Sequence, residues 1–203
     1  MNTSVRNTGR LLGAALRMLL AMTVVTGVGY PLAVTAVAQA ALPGRANGSL
    51  VEADGRVVGS ELIGQTWNVK GTGRPDPRWF QPRPSNSGYD PLATGSSQLG
   101  ASDPTLTRTV AAAKKAVAAF NGVPESAVPK DAVTGSASAV DPHISPAYAH
   151  IQVRRVAERN GLTTAQVEAL VERHTEGRTA GFLGAPHVNV LRLNLALRDL
   201  ATR

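Results

Sequence analysis

A long uncharged run near the N-terminus constrains this chain more than any other feature. From Met18 to Gly44, 27 consecutive residues carry no charge, and most are Leu, Ala, Val, Met or Thr. As a helix, this run would be about 40 Å long, which exceeds the ~30 Å hydrocarbon core of a bilayer. Pro31 lies inside it, and membrane helices tolerate such a proline better than soluble helices do. The sequence therefore predicts one transmembrane helix over residues 12–40, with a kink near Pro31.

The charges around this run predict its orientation. Residues 1–45 contain no acidic residue, and Arg6, Arg10 and Arg17 precede the span, whereas Arg45 alone follows it. Arginine-rich flanks of a membrane helix stay on the cytoplasmic side. We therefore expect residues 1–11 to be cytoplasmic and residues 41–203 to form an extracytoplasmic α+β domain. The chain is then a single-pass protein of the cytoplasmic (inner) membrane of a bacterium, in contact with membrane lipid.

A cleaved signal peptide is the alternative interpretation of the same segment. Ala36-Val37-Ala38 and Ala38-Gln39-Ala40 both fit the small-x-small pattern of a cleavage site. Cleavage there would release a secreted binding module or enzyme. The apolar run before these sites is about 18–20 residues long, whereas signal peptides usually have 7–15. This length favours an uncleaved anchor.

Composition excludes several classes of function. The net charge is +7, but residues 46–203 contribute only +3 of it, and the adjacent basic pairs there are Lys114-Lys115 and Arg154-Arg155. Dispersed charge and eight aromatic residues do not make a nucleic-acid surface, so no nucleic-acid partner is expected. The chain has no cysteine, which excludes disulfides, thiolate metal ligands and a cysteine nucleophile.

The first part of the exported region has strand and loop signals. Asp54-Gly55 between two short β-prone runs, over residues 50–59, predicts a hairpin, and residues 62–67 are predicted to extend the sheet. Residues 70–103 are rich in Gly, Pro and Ser and have no periodicity, which predicts a long loop. Four apolar side chains are expected to order this loop by burial: Trp79, Phe80, Tyr89 and Leu92.

Helical signals follow, and together with the hairpin they predict an α+β fold with a small sheet and three to four helices. Asp103-Pro104 and Ser145-Pro146 are typical helix starts, and Gly122 and Gly161 are typical ends. Thr163 with Gln166 predicts a capping box. A last helix is predicted to begin near Asn189, although its alternating leucines also fit a strand.

Recognisable catalytic chemistry is missing from the sequence. It has no phosphate-binding G-x-x-x-x-G-K-[ST] loop and no G-x-S-x-G elbow. The four histidines, at positions 143, 150, 174 and 187, form no i, i+4 pair with a helping carboxylate. We therefore predict no catalytic residue, no metal site and no cofactor bound to the chain itself.

Three features are candidates for contact with partners. Thr23 and Gly27, four residues apart, would give the membrane helix a small-residue face that another helix can approach. Asp141-Pro142-His143-Ile144-Ser145-Pro146 is either a rigid helix start, in which Asp141 or Ser145 accepts backbone N–H groups, or a shaped loop that contacts a partner or a cation. Gln152, in the following helix, is predicted to be a polar surface residue.

The chain resembles the C subunit of the Kdp-type potassium-transporting ATPase complex. The motifs that carry the resemblance run in order over residues ~24–197. They are Thr26-Gly27 with Tyr30-Pro31, Ala46-Asn47-Gly48-Ser49-Leu50, Gly59 to Gln65, Trp79-Phe80 with Arg83-Pro84-Ser85, Tyr89-Asp90-Pro91, Val133 to Val153, His174-Thr175 with Gly177-Arg178, and Val188 to Leu197. Residues 68–77 look like an insertion relative to shorter members, and Gln98 stands where asparagine is commoner.

The resemblance implies a non-catalytic subunit of a high-affinity, ATP-driven potassium importer, needed for assembly and activity. Its partners would be a potassium-translocating subunit and an ATP-hydrolysing subunit, so that ATP and potassium act at the level of the complex. The exported domain would cap the potassium pathway, or the subunit would act as a chaperone that raises nucleotide affinity, with Gln152 as the associated glutamine. Interface candidates are Thr23, Gly27, Trp79, Phe80, Tyr89, Asp141, His143 and Ser145.

Overall fold

The computed structural model describes residues 2–202, with side chains described from residue 7 onward. The chain divides into two compact units, of which the first ends at Ser49 and the second begins at Leu50. Each unit has its own secondary structure, and they are described separately below.

The N-terminal unit is helical throughout. Helix α1 (Asn2–Val24) continues through a π-helical turn (Val25–Gly29) into α2 (Tyr30–Ala41), and a short α3 (Pro43–Ala46) follows. The 35 residues Asn7–Ala41 form one helix that is long and apolar enough to cross a membrane. Its side chains are largely exposed in the isolated chain, which fits a surface that lipid or another helix covers.

The π turn has a local cause in the sequence. Pro31 has no N–H to donate, and its ring crowds the carbonyl of Gly27 four residues earlier. The helix widens just before the proline, and the N–H of Tyr30 bonds the carbonyl of Val25 in the five-residue π pattern. The sequence predicts a kink near Pro31, and the structure has this π turn directly before it.

The C-terminal unit contains two small antiparallel sheets. Strands β1 (Leu50–Ala53) and β2 (Arg56–Ser60) form the predicted hairpin. Asp54 and Gly55 at its turn have φ of 52° and 71°, as a tight hairpin turn requires. Strands β3 (His143–Ile144), β4 (Thr175–Glu176) and β5 (His187–Asn189) form a second sheet in the order β3-β5-β4.

Four α-helices belong to the described part of this unit, and each begins at a side-chain cap. They are α4 (Pro104–Asn121), α5 (Pro146–Asn160), α6 (Thr164–Arg173) and α7 (Val190–Ala201). Asp103, Ser145, Thr163 and Asn189 accept backbone N–H groups at the four starts, and Gly122 and Gly161 end α4 and α5 with φ of 65° and 68°. These helix starts and ends confirm the sequence predictions.

The core lies where α5, α6 and α7 pack together over the second sheet. The side chains that fill it are largely aliphatic: Ile144, Val153, Val156, Val167, Val171, Val188, Leu193 and Leu197. The hairpin is attached to α7, because Asn189 Nδ2 donates to the carbonyl of Glu61 (2.8 Å) and Arg198 pairs with Asp54 (2.9 Å). The α+β prediction, with one apolar N-terminal helix, is confirmed.

Two finer predictions are wrong. Residues 62–67 form no strand; Gly64 instead packs under the ring of Tyr89, where a Cβ atom would lie 2.3 Å from Cε1. Leu92 does not order the long loop by burial, because 95% of its surface is exposed. The loop is held instead at the backbone of Phe80 and Gln81 and at the side chain of Tyr89.

Candidate functional site: a rigid polar loop and the buried amide clamp behind it

Hydrogen bonds fix the segment from Asp141 to Ser145. One carboxylate oxygen of Asp141 accepts the N–H of His143 (2.9 Å), and Ser145 Oγ accepts the N–H of Tyr148 (3.0 Å) as the cap of α5. The carboxylate of Asp131 accepts both the N–H of Ser145 (2.7 Å) and its hydroxyl (2.9 Å). The segment is thus the predicted rigid helix start, with Asp131 as an additional support.

Arg83 ties this segment to the long loop. Its guanidinium donates to the second carboxylate oxygen of Asp141 (3.0 Å) and reaches the carbonyl of Thr134 (3.4 Å). Partial burial acts to raise the pKa of Asp141, but hydrogen bonds from His143 and the charge of Arg83 outweigh it, so the pKa lies below its ordinary value. Asp141 is therefore ionised at neutral pH and accepts from both sides.

A polar cleft opens beside this segment. It has a volume of about 520 Å³, and Leu183 and Pro186 give it apolar surface. Its charged and polar lining includes Arg83, Lys130, Asp141, His143, Ser145 and His187. The rings of His143 and His187 meet edge to face, with their centres 4.4 Å apart. His143 Nδ1 lies 3.5 Å from the carboxylate of Asp141, and His187 Nε2 lies 3.7 Å from that of Glu176. The cleft brings together Asp141, His143 and Ser145 from the predicted interface set.

Behind this cleft, two amide side chains clamp the backbone of the long loop. Asn194 accepts the N–H of Phe80 (2.9 Å) and donates to its carbonyl (2.9 Å). Gln152 does the same for the next residue: its Oε1 accepts the N–H of Gln81 (2.7 Å), and its Nε2 donates to the carbonyl (3.1 Å). The two amides imitate the neighbouring strands of a sheet, so a loop segment without strand partners has paired peptide groups. We call Gln152 and Asn194 the amide clamp.

Arg155 completes this buried network. Its guanidinium donates to Gln152 Oε1 (2.8 Å), to Asn121 Oδ1 (2.9 Å) and to the carbonyl of Trp79 (3.0 Å), and it lies 4.4 Å from the ring centre of Phe120. Burial lowers the pKa of Arg155 to about 10, which still leaves it charged at neutral pH. A buried guanidinium with this many acceptors fixes helices α4 and α5 to the loop.

The clamp requires corrections to the predictions for this region. Gln152 is 0% exposed, so it is not a surface residue, and its amide has no free face for a nucleotide. Phe80 is also 0% exposed, so its side chain belongs to the core and does not reach a partner. Trp79 is half-buried against Trp67, with ring centres 5.3 Å apart, and Tyr89 is 9% exposed and donates to the carbonyl of Arg83 (2.6 Å).

The remaining interface candidates lie on the apolar helix of the N-terminal unit. Thr23 and Gly27 are both exposed, and a Cβ atom at Gly27 would lie 3.9 Å from Thr23 Cγ2. The two residues therefore lie side by side even though the π turn begins between them. Thr26 donates its hydroxyl to the carbonyl of Met22 (2.6 Å), so this polar side chain is satisfied within the helix.

The sequence patterns did not reveal Arg155, Asn194 or Asp131, and they placed Gln152 on the surface, although Asn194 and Gln152 each had a detectable signal of burial. Asn194 follows Leu193 on the buried stripe of α7, and Gln152 lies three residues after Ala149 on the buried stripe of α5. A polar side chain on an apolar stripe indicates a buried hydrogen-bond network. Asp131 had no comparable signal, because its partner is Ser145, fourteen residues away. In residues 2–202, no cluster of three or more His, Asp or Glu side chains is arranged to bind a metal.

Comparison with known proteins identifies the family. A model of the KdpC family, described as K⁺-transporting ATPase, c chain, matches residues 12–199. The chain belongs to the KdpC family. It is 50% identical to the Potassium-transporting ATPase KdpC subunit of Streptomyces coelicolor, with 98% of this chain and 97% of that protein covered.

Other proteins with the same printed description are similarly close. The KdpC subunit of Sorangium cellulosum is 52% identical, with 90% of this chain and 94% of that protein covered. The KdpC subunit of Kineococcus radiotolerans is 47% identical, with 99% and 100% covered. This KdpC chain is therefore a subunit of a potassium-transporting ATPase that works with other Kdp subunits, and its apolar helix makes it membrane-associated.

Proposed function

We propose that this chain is a non-catalytic accessory subunit of a high-affinity potassium importer. Its apolar helix anchors it in the membrane, and its folded unit lies outside, against the potassium-translocating subunit, where it caps the potassium pathway. The observation that carries the proposal is the polar cleft. A loop fixed by Asp131, Asp141 and Ser145 presents His143, whose side chain is 36% exposed, as a preformed contact surface. A preformed loop costs little conformational entropy when it docks.

The orientation rests on charge. Arg10 and Arg17 lie at the N-terminal end of the apolar helix, and the following uncharged run extends to Gly44. With the N-terminus in the cytoplasm, residues 50–202 lie on the outer side. The ATP site of the complex would then belong to the ATP-hydrolysing subunit, on the opposite side of the membrane.

An effect on nucleotide affinity is included in the proposal only as an indirect one. All three polar contacts of Gln152 are made inside the folded unit, to Gln81 and Arg155. A change at Gln152 would therefore alter the loop that Gln81 belongs to. Any change in ATP affinity would reach the ATP-hydrolysing subunit through altered docking or through the membrane helix.

Replacement of His143 by glutamate tests the docking surface. A buried charge without a partner costs several kcal/mol, so subunit occupancy should fall more than about a thousandfold at ~1.4 kcal/mol per decade. The full chain should still fold but unfold at a slightly lower temperature, because the new carboxylate is partly exposed but lies beside Asp141. Copurification of the Kdp subunits and growth at limiting potassium measure the effect.

The matched control is His150→Glu, because His150 is exposed on α5 and does not line the polar cleft. We expect this control to assemble and to support growth normally. Normal assembly of both variants would contradict docking through the polar cleft. Loss of assembly in both would show that added negative charge acts without regard to position.

A further inference from the structure

A tight hairpin lies beside the polar cleft, in the segment that joins β4 to β5. Thr179 and Leu183 exchange two backbone hydrogen bonds (2.9 and 3.0 Å), and the N–H of Phe182 also reaches the carbonyl of Thr179 (3.3 Å). Ala180 and Gly181, at the turn, have φ of 53° and 82°, and a type I′ turn requires positive φ at both positions. We call residues 179–183 the hairpin tip. Its own hydrogen bonds fix its backbone.

This fixed backbone holds two large apolar side chains in water. Phe182 is 71% exposed and Leu183 is 54% exposed. The turn itself costs energy, because Ala180 has a left-handed conformation that strains any residue with a Cβ atom. Aromatic side chains are enriched in the contact surfaces of proteins, where a partner buries them. An exposed ring on a strained, hydrogen-bonded turn therefore indicates a contact residue.

The charges around the hairpin tip leave an excess of free cations. The carboxylates of Asp131 and Asp141 are engaged within the chain, and that of Glu176 lies beside a histidine. Lys130, in the polar cleft, and Arg178, directly before the hairpin tip, are both exposed. Neither forms an ion pair with any residue between positions 7 and 202. The complement of this surface is therefore an apolar socket with carboxylates near its rim.

We propose that the ring of Phe182 inserts into an apolar socket of the potassium-translocating subunit, whose carboxylates lie near Lys130 and Arg178. Leu183 and Pro186 line the polar cleft, so the apolar surface runs without a break from the hairpin tip into it, and one partner surface covers both. A bilayer fits less well, because a concave cleft with charges of both signs needs a projecting partner of fixed shape. The proposal rests on the docking function above and names the side chain that anchors it.

Phe182→Ala tests the anchor, with Leu92→Ala as the matched control. Leu92 is 95% exposed and lies on neither the hairpin tip nor the polar cleft. Both full chains should unfold at the normal temperature, because both side chains are exposed. Dilution of the detergent-solubilised Kdp complex measures how tightly each chain associates with the other subunits. Phe182→Ala should weaken association at least tenfold, as loss of a central anchor does, and Leu92→Ala should leave it within about twofold.

The absence of cysteine allows the covered surface to be located directly. Ala180 is exposed on the hairpin tip, whereas Ala111 is exposed on α4 and does not line the polar cleft. Single-cysteine chains, Ala180→Cys and Ala111→Cys, would be labelled with a water-soluble maleimide, alone in lipid nanodiscs and within the purified Kdp complex. We expect assembly to slow labelling at position 180 at least tenfold and to leave position 111 within about twofold.

Equal association of the Phe182→Ala and Leu92→Ala chains would overturn the proposal, and so would labelling at position 180 that assembly does not slow. Equal slowing at both positions would overturn it too, because protection would then not be specific to the hairpin tip. Labelling that is slower at position 180 than at position 111 in nanodiscs without the other subunits would show that lipid or a second copy covers the hairpin tip, which also contradicts the proposal. If His143→Glu abolishes assembly while Phe182→Ala assembles normally, the docking function stands and the anchor is refuted. Normal assembly of both variants would refute both.

Discussion

Replacement of Gln152 by leucine should destabilise the folded unit strongly, because the side chain is a structural clamp. The substitution leaves the N–H and the carbonyl of Gln81 without partners at a site that is 0% exposed. It also removes one acceptor of Arg155, which keeps Asn121 Oδ1 and the carbonyl of Trp79. The two peptide groups of Gln81 therefore carry most of the loss.

The magnitude follows from these contacts. A buried polar group that loses its partner costs about 1–3 kcal/mol, so two such groups should lower the free energy of unfolding by about 2–6 kcal/mol. For a domain of this size, 1 kcal/mol corresponds to a shift of roughly 2–4 °C, so the unfolding temperature should fall by about 4–24 °C. This is a large share of the 5–15 kcal/mol that stabilises a typical domain.

Tryptophan fluorescence of the full chain in detergent would measure this effect during heating. Both tryptophans, Trp67 and Trp79, lie beside the clamped loop, so they report its release directly. Glu158→Gln is the control on the same helix, because Glu158 is exposed and its ion pair with Arg154 contributes at most about 0.5 kcal/mol. A Gln152→Leu chain that unfolds like the control, while the assembled complex loses ATP affinity, would refute the clamp and favour direct nucleotide contact.

Three further predictions concern other parts of the chain. Gly64→Ala should lower the free energy of unfolding in urea by about 1–3 kcal/mol, because the added Cβ would lie 2.3 Å from the ring of Tyr89. The control Gly177→Ala should change the urea midpoint little, because no atom lies within 4 Å of its added Cβ. Gly27→Leu should reduce recovery of the Kdp complex in detergent without changing the unfolding of the folded unit, and Gly13→Leu should not; equal recovery would mean that Gly27 contacts only lipid. Folding lowers the pKa of Asp141, so the stabilisation that its carboxylate provides is complete above about pH 4 and is lost as the pH falls through the lowered pKa. Asp141→Asn should therefore flatten the dependence of the free energy of unfolding on pH in that acid range. An unchanged pH dependence would contradict the pairing with Arg83.

Much of the fold was predictable because its signals are local. The hairpin turn at Asp54-Gly55, the caps at Ser145 and Thr163, and the end of α4 at Gly122 each depend on a few adjacent residues. Such preferences are decided by backbone conformation and by short hydrogen bonds. The transmembrane helix around Pro31 was equally predictable, because the thickness of the hydrocarbon core sets the length of apolar sequence that it needs.

The second sheet and the clamp were not predictable from local signals. Strands β3, β4 and β5 have only two or three residues each, too few to show alternation. Gln152 pairs with a loop residue that is 71 positions away in the sequence, and Asn194 pairs with one that is 114 positions away. No sequence spacing reveals such contacts. Both side chains lie on apolar stripes of their helices, which indicates burial. The prediction of Gln152 as a surface residue did not take this position into account.

The orientation of the folded unit is the central claim, because capping the potassium pathway from outside requires it. The most direct measurement is labelling of the Ala111→Cys chain, expressed with its Kdp partners, by a membrane-impermeant maleimide on intact cells without a cell wall. We expect full labelling before permeabilisation, on a chain whose mass shows no cleavage after Ala38 or Ala40. Labelling that appears only after permeabilisation would place residues 50–202 in the cytoplasm and contradict an outer position of the folded unit.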